Sequence, residues 1–107
     1  MNIDSTVGAD KFKIGQTYMG CDVIKKYRSD KQFADFVRKS LEWYASGDWG
    51  DSAEEDKNEN DYAIDKGSII FSRYIQKQQP QNEIYITTEE NRLKTVIIFP
   101  HELSIDF

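Results

Sequence analysis

Three apolar segments crowd the last third of the chain: "SIIFSRYI" at 68–75, "EIYITT" at 83–88 and "TVIIFP" at 95–100. Each is rich in β-branched and aromatic residues. The connectors "KQQPQN" and "EENRLK" are short enough for hairpins. A chain of 107 residues with three strands so close together has few topologies open to it. The expected form is an antiparallel meander, one parity of each strand facing a core and the other partly wet.

What covers that sheet lies upstream. In "SDKQFADFVRKSLEWYASG" the residues Phe33, Val37, Leu41 and Tyr44 recur at three- and four-residue steps, and Phe36 and Trp43 widen the stripe. Ser29 with Gln32 has capping-box spacing at the start, and Gly47 stands where a left-handed stop is wanted. A second helix is expected to follow at once, with Ser52 and Glu55 as another capping box, three acids in the first turn, and Gly67 after Lys66 as its stop. Its apolar residues are only Ala53, Tyr62, Ala63 and Ile64, so it is expected to meet the core by one narrow edge. Ser52, Asp56, Asn60, Ala63 and Gly67 share a face, on which Asp56 and Asn60 are placed to anchor buried backbone groups.

Residues 1–10, "MNIDSTVGAD", lack periodicity and are expected to be flexible. In "KFKIGQTYMG", Phe12, Ile14 and Tyr18 share one parity, which fits a short irregular strand. "CDVIKKY" suits either an extension of that strand or a helix. The expectation is a single α+β domain over 11–107, with two helices packed on a small antiparallel sheet of three to four strands.

Charge is the next constraint. Residues Asp48 to Asp65 hold eight acids (Asp48, Asp51, Glu54, Glu55, Asp56, Glu59, Asp61 and Asp65) against Lys57 alone, a local −7 within a net −5. Such a field repels a phosphate backbone, which disfavours direct nucleic-acid binding. Apolar runs are too short to span a membrane, and there is no pattern of an export signal. With Cys21 the sole cysteine, the expected address is a reducing cytoplasm.

Catalytic chemistry finds little support. The acids of "GDWGDSAEED" are hard oxygen donors, but their spacing lacks the alternating ligands of a calcium loop, and helix N-termini attract acids for dipole reasons alone. No metal or cofactor is therefore expected; a small metal-dependent enzyme using this corner stands as an alternative. His101 is expected as a lone surface histidine and Cys21 as a small half-buried hydrophobe, without an activated thiol. Trp49 is expected to plug the corner between packed elements. In "TTEENRLKT", Glu89 and Arg92 sit at a hairpin mouth, where an ion pair could pin the turn. An Arg92 reaching Asp48 or Asp51 would knit the acidic corner to that hairpin.

The positions Gly47 to Asp51, Glu55, Asp56, Asn60, Ser72, Tyr74, Thr88, Glu89, Arg92, Thr95, Phe99, Pro100 and Glu102 carry a resemblance. Over residues 12–103 the chain resembles a family of small GDWGD-motif proteins carried on conjugative plasmids and integrative elements. It departs from that pattern at Asn91 and Leu93, and at Trp43 and Tyr44, where a basic residue and a histidine often stand. The resemblance implies a mobile-element accessory protein. Small acidic proteins of that niche are often inhibitors of host defence, which implies an anti-CRISPR protein whose partner has a basic groove, with Cas9 or another defence nuclease as candidate. An accessory factor with a non-nuclease partner is the alternative. The eight acids are then the expected partner-binding set, and Trp49, Asn60, Glu89, Arg92 and Thr95 the structural motif.

Overall fold

The computed structural model describes residues 10–103. Of the segment expected to be flexible, residues 1–9 lie outside the described residues, and Asp10 is exposed and irregular. The fold is α+β, with strands β1 (Gln16–Met19), β2 (Ile70–Ile75), β3 (Glu83–Thr88) and β4 (Lys94–Ile98) and helices α1 (Cys21–Ser29), α2 (Lys31–Ala45) and α3 (Glu54–Lys66). A single 3-10 turn at Pro100–Glu102 follows β4. No helix among the described residues is long and apolar enough to cross a membrane.

The meander forms as the alternation dictates: β2, β3 and β4 pair antiparallel, with Ile86 opposite both Ser72 and Ile97. The sheet is not wholly antiparallel, however. Its order is β1-β4-β3-β2, and β1 lies parallel to β4, Thr17 beside Thr95 and Met19 beside Ile97. The link from β1 to the meander runs through all three helices, long enough for a parallel crossover, whereas a tight hairpin permits only antiparallel pairing.

"CDVIKKY" resolves as α1, a third helix, ahead of the two expected. Glu102 explains its start. One carboxylate oxygen accepts from the Asp22 amide at 2.8 Å and the other from the Phe99 amide at 2.9 Å, so the 3-10 turn caps α1 from across the fold. Parity through β1 also shifts. Gly15 has φ 64°, and a Cβ there would lie 2.3 Å from the Leu93 carbonyl, so the chain turns against the β3–β4 hairpin in a conformation that suits glycine. Phe12 and Ile14 pack on the core before that turn; beyond it Met19 does so, and Tyr18 faces out at 48% exposure.

On α2, Phe33, Val37, Leu41 and Tyr44 are fully buried against Ile70, Ile84, Ile86 and Ile97. Each such side chain contributes roughly 1.5–3 kcal/mol by leaving water. The helix begins one residue later than its sequence spacing suggests. Asp30 accepts from the Phe33 amide at 3.1 Å, while Ser29 ends α1 and bonds back to the Lys25 and Lys26 carbonyls. Asp30 wins because α1 already occupies Ser29.

Candidate functional site

The acidic stretch begins as a bend. After α2, Asp48 accepts from the Gly50 amide at 3.0 Å in its own tight turn, and its backbone amide reaches the Trp43 carbonyl at 2.8 Å. Trp49 is buried, as its place at the corner suggests. It lies edge-on to Tyr44 with centroids 5.7 Å apart, and its indole Nε1 donates to Asp61 Oδ1 at 2.8 Å. Gly50 follows with φ 63°, and a Cβ there would fall 2.3 Å from the Tyr74 ring. That close approach lets Gly50 run beside β2 and bridge Arg73 as a parallel neighbour.

From there the chain closes one edge of the sheet. With Ile70, Ser72 and Tyr74 bonded to β3, the backbone groups of Phe71, Arg73 and Ile75 point outward. Asn60 takes Phe71 at both ends: Nδ2 donates to its carbonyl at 2.8 Å, and Oδ1 accepts from its amide at 3.2 Å. Nδ2 also reaches Ser72 Oγ at 3.1 Å. The Arg73 amide donates to Ser52 Oγ at 3.0 Å, and its carbonyl accepts from the Asp51 amide at 2.8 Å. The Ile75 amide donates to Asp51 Oδ2 at 2.8 Å. Tyr74 completes the seam by donating its hydroxyl to the Asp48 carbonyl at 2.7 Å. Burial pushes the Tyr74 phenol well above its ordinary 10, and the nearby charges of Asp48 and Asp51 add to the shift.

Two expectations fail here. Ser52 does not form a capping box with Glu55, since its hydroxyl serves β2; Ala53 occupies the N-cap position and offers no side-chain bond. Asp56 anchors nothing among the described residues and is exposed, whereas Asn60 alone holds the helix face to the strand. The stop at Gly67 is as expected, with φ 72°.

The opposite side of α3 faces solvent. Asp48, Asp51, Glu54, Glu55, Asp56, Glu59, Asp61 and Asp65 are all exposed, and among the described residues none forms a salt bridge. They are not equivalent. Asp48, Asp51 and Asp61 hold the bend, the β2 edge and Trp49. Glu54, Glu55, Asp56, Glu59 and Asp65 make no side-chain hydrogen bond among the described residues; Glu55, Glu59 and Asp65, at seven- and three-residue steps, frame Tyr62, which is 59% exposed. Lys66, the basic residue of the last helical turn, lies over the Tyr62 ring at 5.2 Å.

Arg92 does not pair with Glu89, Asp48 or Asp51. Its guanidinium donates to three carbonyls: Ser68 at 2.7 Å, Glu89 at 2.9 Å and Ala63 at 2.9 Å. It thereby fastens the end of α3, adding to the Gly67 and Ser68 amides that already reach the Ala63 carbonyl at 2.9 and 3.2 Å. Glu89 pairs with Lys94 instead, at 3.4 Å. Thr95 is fully buried in a relay: its hydroxyl meets Thr88 at 2.6 Å and donates to the Ile14 carbonyl at 2.6 Å, while Thr88 meets the Tyr44 hydroxyl at 2.7 Å. Sequence spacing gave no sign of this relay, because its members come from four separate segments.

Other candidates fall apart spatially. Cys21 is exposed rather than half-buried, since it opens α1 on the outside. His101 is exposed but not alone: Nε2 lies 2.7 Å from Asp22 Oδ2. Among the described residues no three His, Cys, Asp or Glu side chains converge as a cation would need. A groove of about 450 Å³ beside α2, lined by Phe36, Trp43, Ile75, Lys39, Lys77 and Asp51, has mixed charge. In comparisons with protein families, curated proteins and solved structures, none matches the chain.

Proposed function

We propose that this chain is a non-enzymatic binding protein that offers the outer face of α3 to a basic groove on a protein partner. One observation carries the reading: the concentrated carboxylates of 48–65 are exposed, and among the described residues none forms a salt bridge with a lysine or arginine. Anionic side chains fixed on a rigid helix can take the place of a polynucleotide backbone, and their field steers fast encounter with a basic surface. Tyr62 supplies the aromatic anchor that carboxylates alone lack.

The resemblance to mobile-element proteins suggests the partner class. A defence nuclease has a basic channel for nucleic acid, and Cas9, which holds a guide–target heteroduplex in such a channel, is the first candidate for an anti-CRISPR activity. The test is capture of Cas9 by the full chain, with and without guide RNA, over a series of salt concentrations. A complex that forms at low salt and weakens steeply as salt rises is expected. The triple variant Glu54→Gln, Glu59→Gln, Asp65→Asn should lower that affinity at least about tenfold without changing the melting temperature. Absence of any complex at low salt removes Cas9 and leaves a non-nuclease partner as the reading to pursue. Titration calorimetry with zinc, magnesium and calcium addresses the metal alternative, and heat of binding at the corner would revive it.

A further inference from the structure

The sheet has a second edge, and it is treated quite differently. In the parallel pair of β1 with β4, Gln16, Tyr18 and Gly20 direct their backbone groups toward β4: the Gln16 amide reaches the Leu93 carbonyl at 3.0 Å, and the Gly20 amide reaches Ile97 at 2.8 Å. The amide and carbonyl of Thr17 and of Met19 therefore point away from the sheet. Among the described residues, nothing hydrogen-bonds to them. Chains commonly blunt such an edge with a charge, a proline, a bulge or a covering element. "QTYMG" contains neither charge nor proline, and Tyr18 stands 48% exposed at its centre.

We infer that β1 is a self-pairing edge, and that its occupant is the β1 strand of a second copy of this chain. The arrangement is self-complementary. Across a two-fold axis at Tyr18, antiparallel pairing sets Thr17 opposite the partner's Met19 and Met19 opposite the partner's Thr17. All four outward groups of each copy then exchange hydrogen bonds, and the two Tyr18 residues meet as the closely spaced, non-bonded pair. Their rings extend an apolar row that runs across the outer face from Tyr18 through Val96 and Thr87 to Phe71.

Charge also favours this occupant over an unrelated acidic or basic segment. The strand is neutral, and Lys94 beside it already pairs with Glu89 at 3.4 Å. The acidic corner and α3 lie beyond β2, at the opposite end of the strand order. Two copies joined at β1 would hold their anionic surfaces at the far ends of one eight-stranded sheet, where mutual repulsion is least. The pairing does not depend on what α3 binds. So short an edge covers less than the roughly 1,200 Å² of stable interfaces, so a dissociation constant in the micromolar range is expected.

Sedimentation of the full chain from low micromolar to millimolar concentration tests this. A reversible monomer–dimer equilibrium is expected. Thr17→Pro removes an outward amide that β4 does not use and should weaken the dimer about tenfold or more. Tyr18→Lys, at an exposed position, sets two like charges on the axis and should weaken it similarly. For a positive signal, Tyr18→Cys in a Cys21→Ser background should cross-link readily under mild oxidation, because such a pair lies within disulfide reach. Leu93→Cys in the same background, 68% exposed but off the edge, should not. A wild-type chain that stays monomeric at millimolar concentration overturns the inference. So does a dimer that survives both Thr17→Pro and Tyr18→Lys, or equal cross-linking by the two cysteine variants.

Discussion

The two edges of one sheet differ in how their backbone groups are met. At β2 the outward amides of Phe71, Arg73 and Ile75, and the carbonyls of Phe71 and Arg73, each find a partner in the corner or on α3. At β1 the corresponding groups of Thr17 and Met19 find none among the described residues. The contrast explains an odd helix. α3 fully buries only Asn60 and Ala63, with Ile64 half-buried against the core, little apolar surface for docking in the ordinary way. It is held by hydrogen bonds to a strand edge, directly through Asn60 and through the Asp51–Ser52 segment before it, with Arg92 fastening its end. Adhesion by a few polar groups leaves the rest of its circumference available to carboxylates.

The sharpest way to break the closed edge is at Gly50. Gly50→Val puts a branched side chain where the Tyr74 ring already lies, at a φ of 63°. Overpacking and left-handed strain together should cost on the order of 3 kcal/mol or more. The urea midpoint measures it, with Gly67→Ala as control: that position shares a positive φ but has nothing within 4 Å, so about 1 kcal/mol is expected. Equal losses at the two glycines would show that backbone strain alone matters and that the close approach to β2 does not.

Asn60→Ala is the next largest. It strips Phe71 of both partners and should cost about 2–3 kcal/mol by chemical denaturation. Asn60→Asp keeps an acceptor for the Phe71 amide but has nothing to donate to its carbonyl, and should also lose stability. If Asn60→Ala were as stable as the parent, water would be an adequate substitute and the edge would need no closure.

Alkali probes the same seam more gently. Tyr74 donates to the Asp48 carbonyl, and burial holds its phenol above the ordinary 10; Tyr44, in the relay with Thr88, is raised chiefly by burial as well. A raised pKa in the folded state means stability is fully present below about pH 10 and declines as unfolded phenols ionise above it. Thermal melts should therefore be insensitive to these groups up to pH 9 and fall steeply beyond 10. Tyr74→Phe should be less stable at neutral pH by about 1 kcal/mol and show a shallower alkaline decline. A parallel decline in Tyr74→Phe and parent would assign the alkaline sensitivity elsewhere.

Much of this fold was legible because it follows from local pattern. The three meander strands, the buried stripe of α2, the plug at Trp49 and the anchoring by Asn60 all follow from period, size and a polar face. What stayed hidden involves choices between equally good local partners. Ser52 suits an N-cap as well as it suits a strand amide, and only the position of β2 decides. Arg92 has carboxylates nearby in sequence yet binds carbonyls, because the end of α3 comes within reach of its hairpin. The parallel β1 was equally closed to inspection: "KFKIGQTYMG" reads as one parity only if Gly15 is ordinary, and its φ of 64° makes it a switch. Of the candidate site, the acids could be counted from sequence. Their division into three that hold the corner and five that hold nothing could not.

That division supplies the smallest expected effect. Neutralising Glu54, Glu59 and Asp65 removes no contact within the described residues. Glu54 gives up a favourable place at the helix start, but Glu59 and Asp65 escape repulsion from Glu55 and Asp61 at four-residue spacing. Those terms oppose one another, so the net change should stay within about 0.5 kcal/mol. Salt separates them. Repulsion dominates an unpaired ridge, so moderate sodium chloride should raise the parent's melting temperature and raise the triple variant's less. Asp61→Asn should behave otherwise, since it removes a charge yet also alters the acceptor for Trp49, and its effect should persist at high salt. If salt instead lowers the parent's melting temperature, the carboxylates are engaged by attraction in solution, α3 has no free face, and the asymmetry between the two ends of the sheet is one of packing alone.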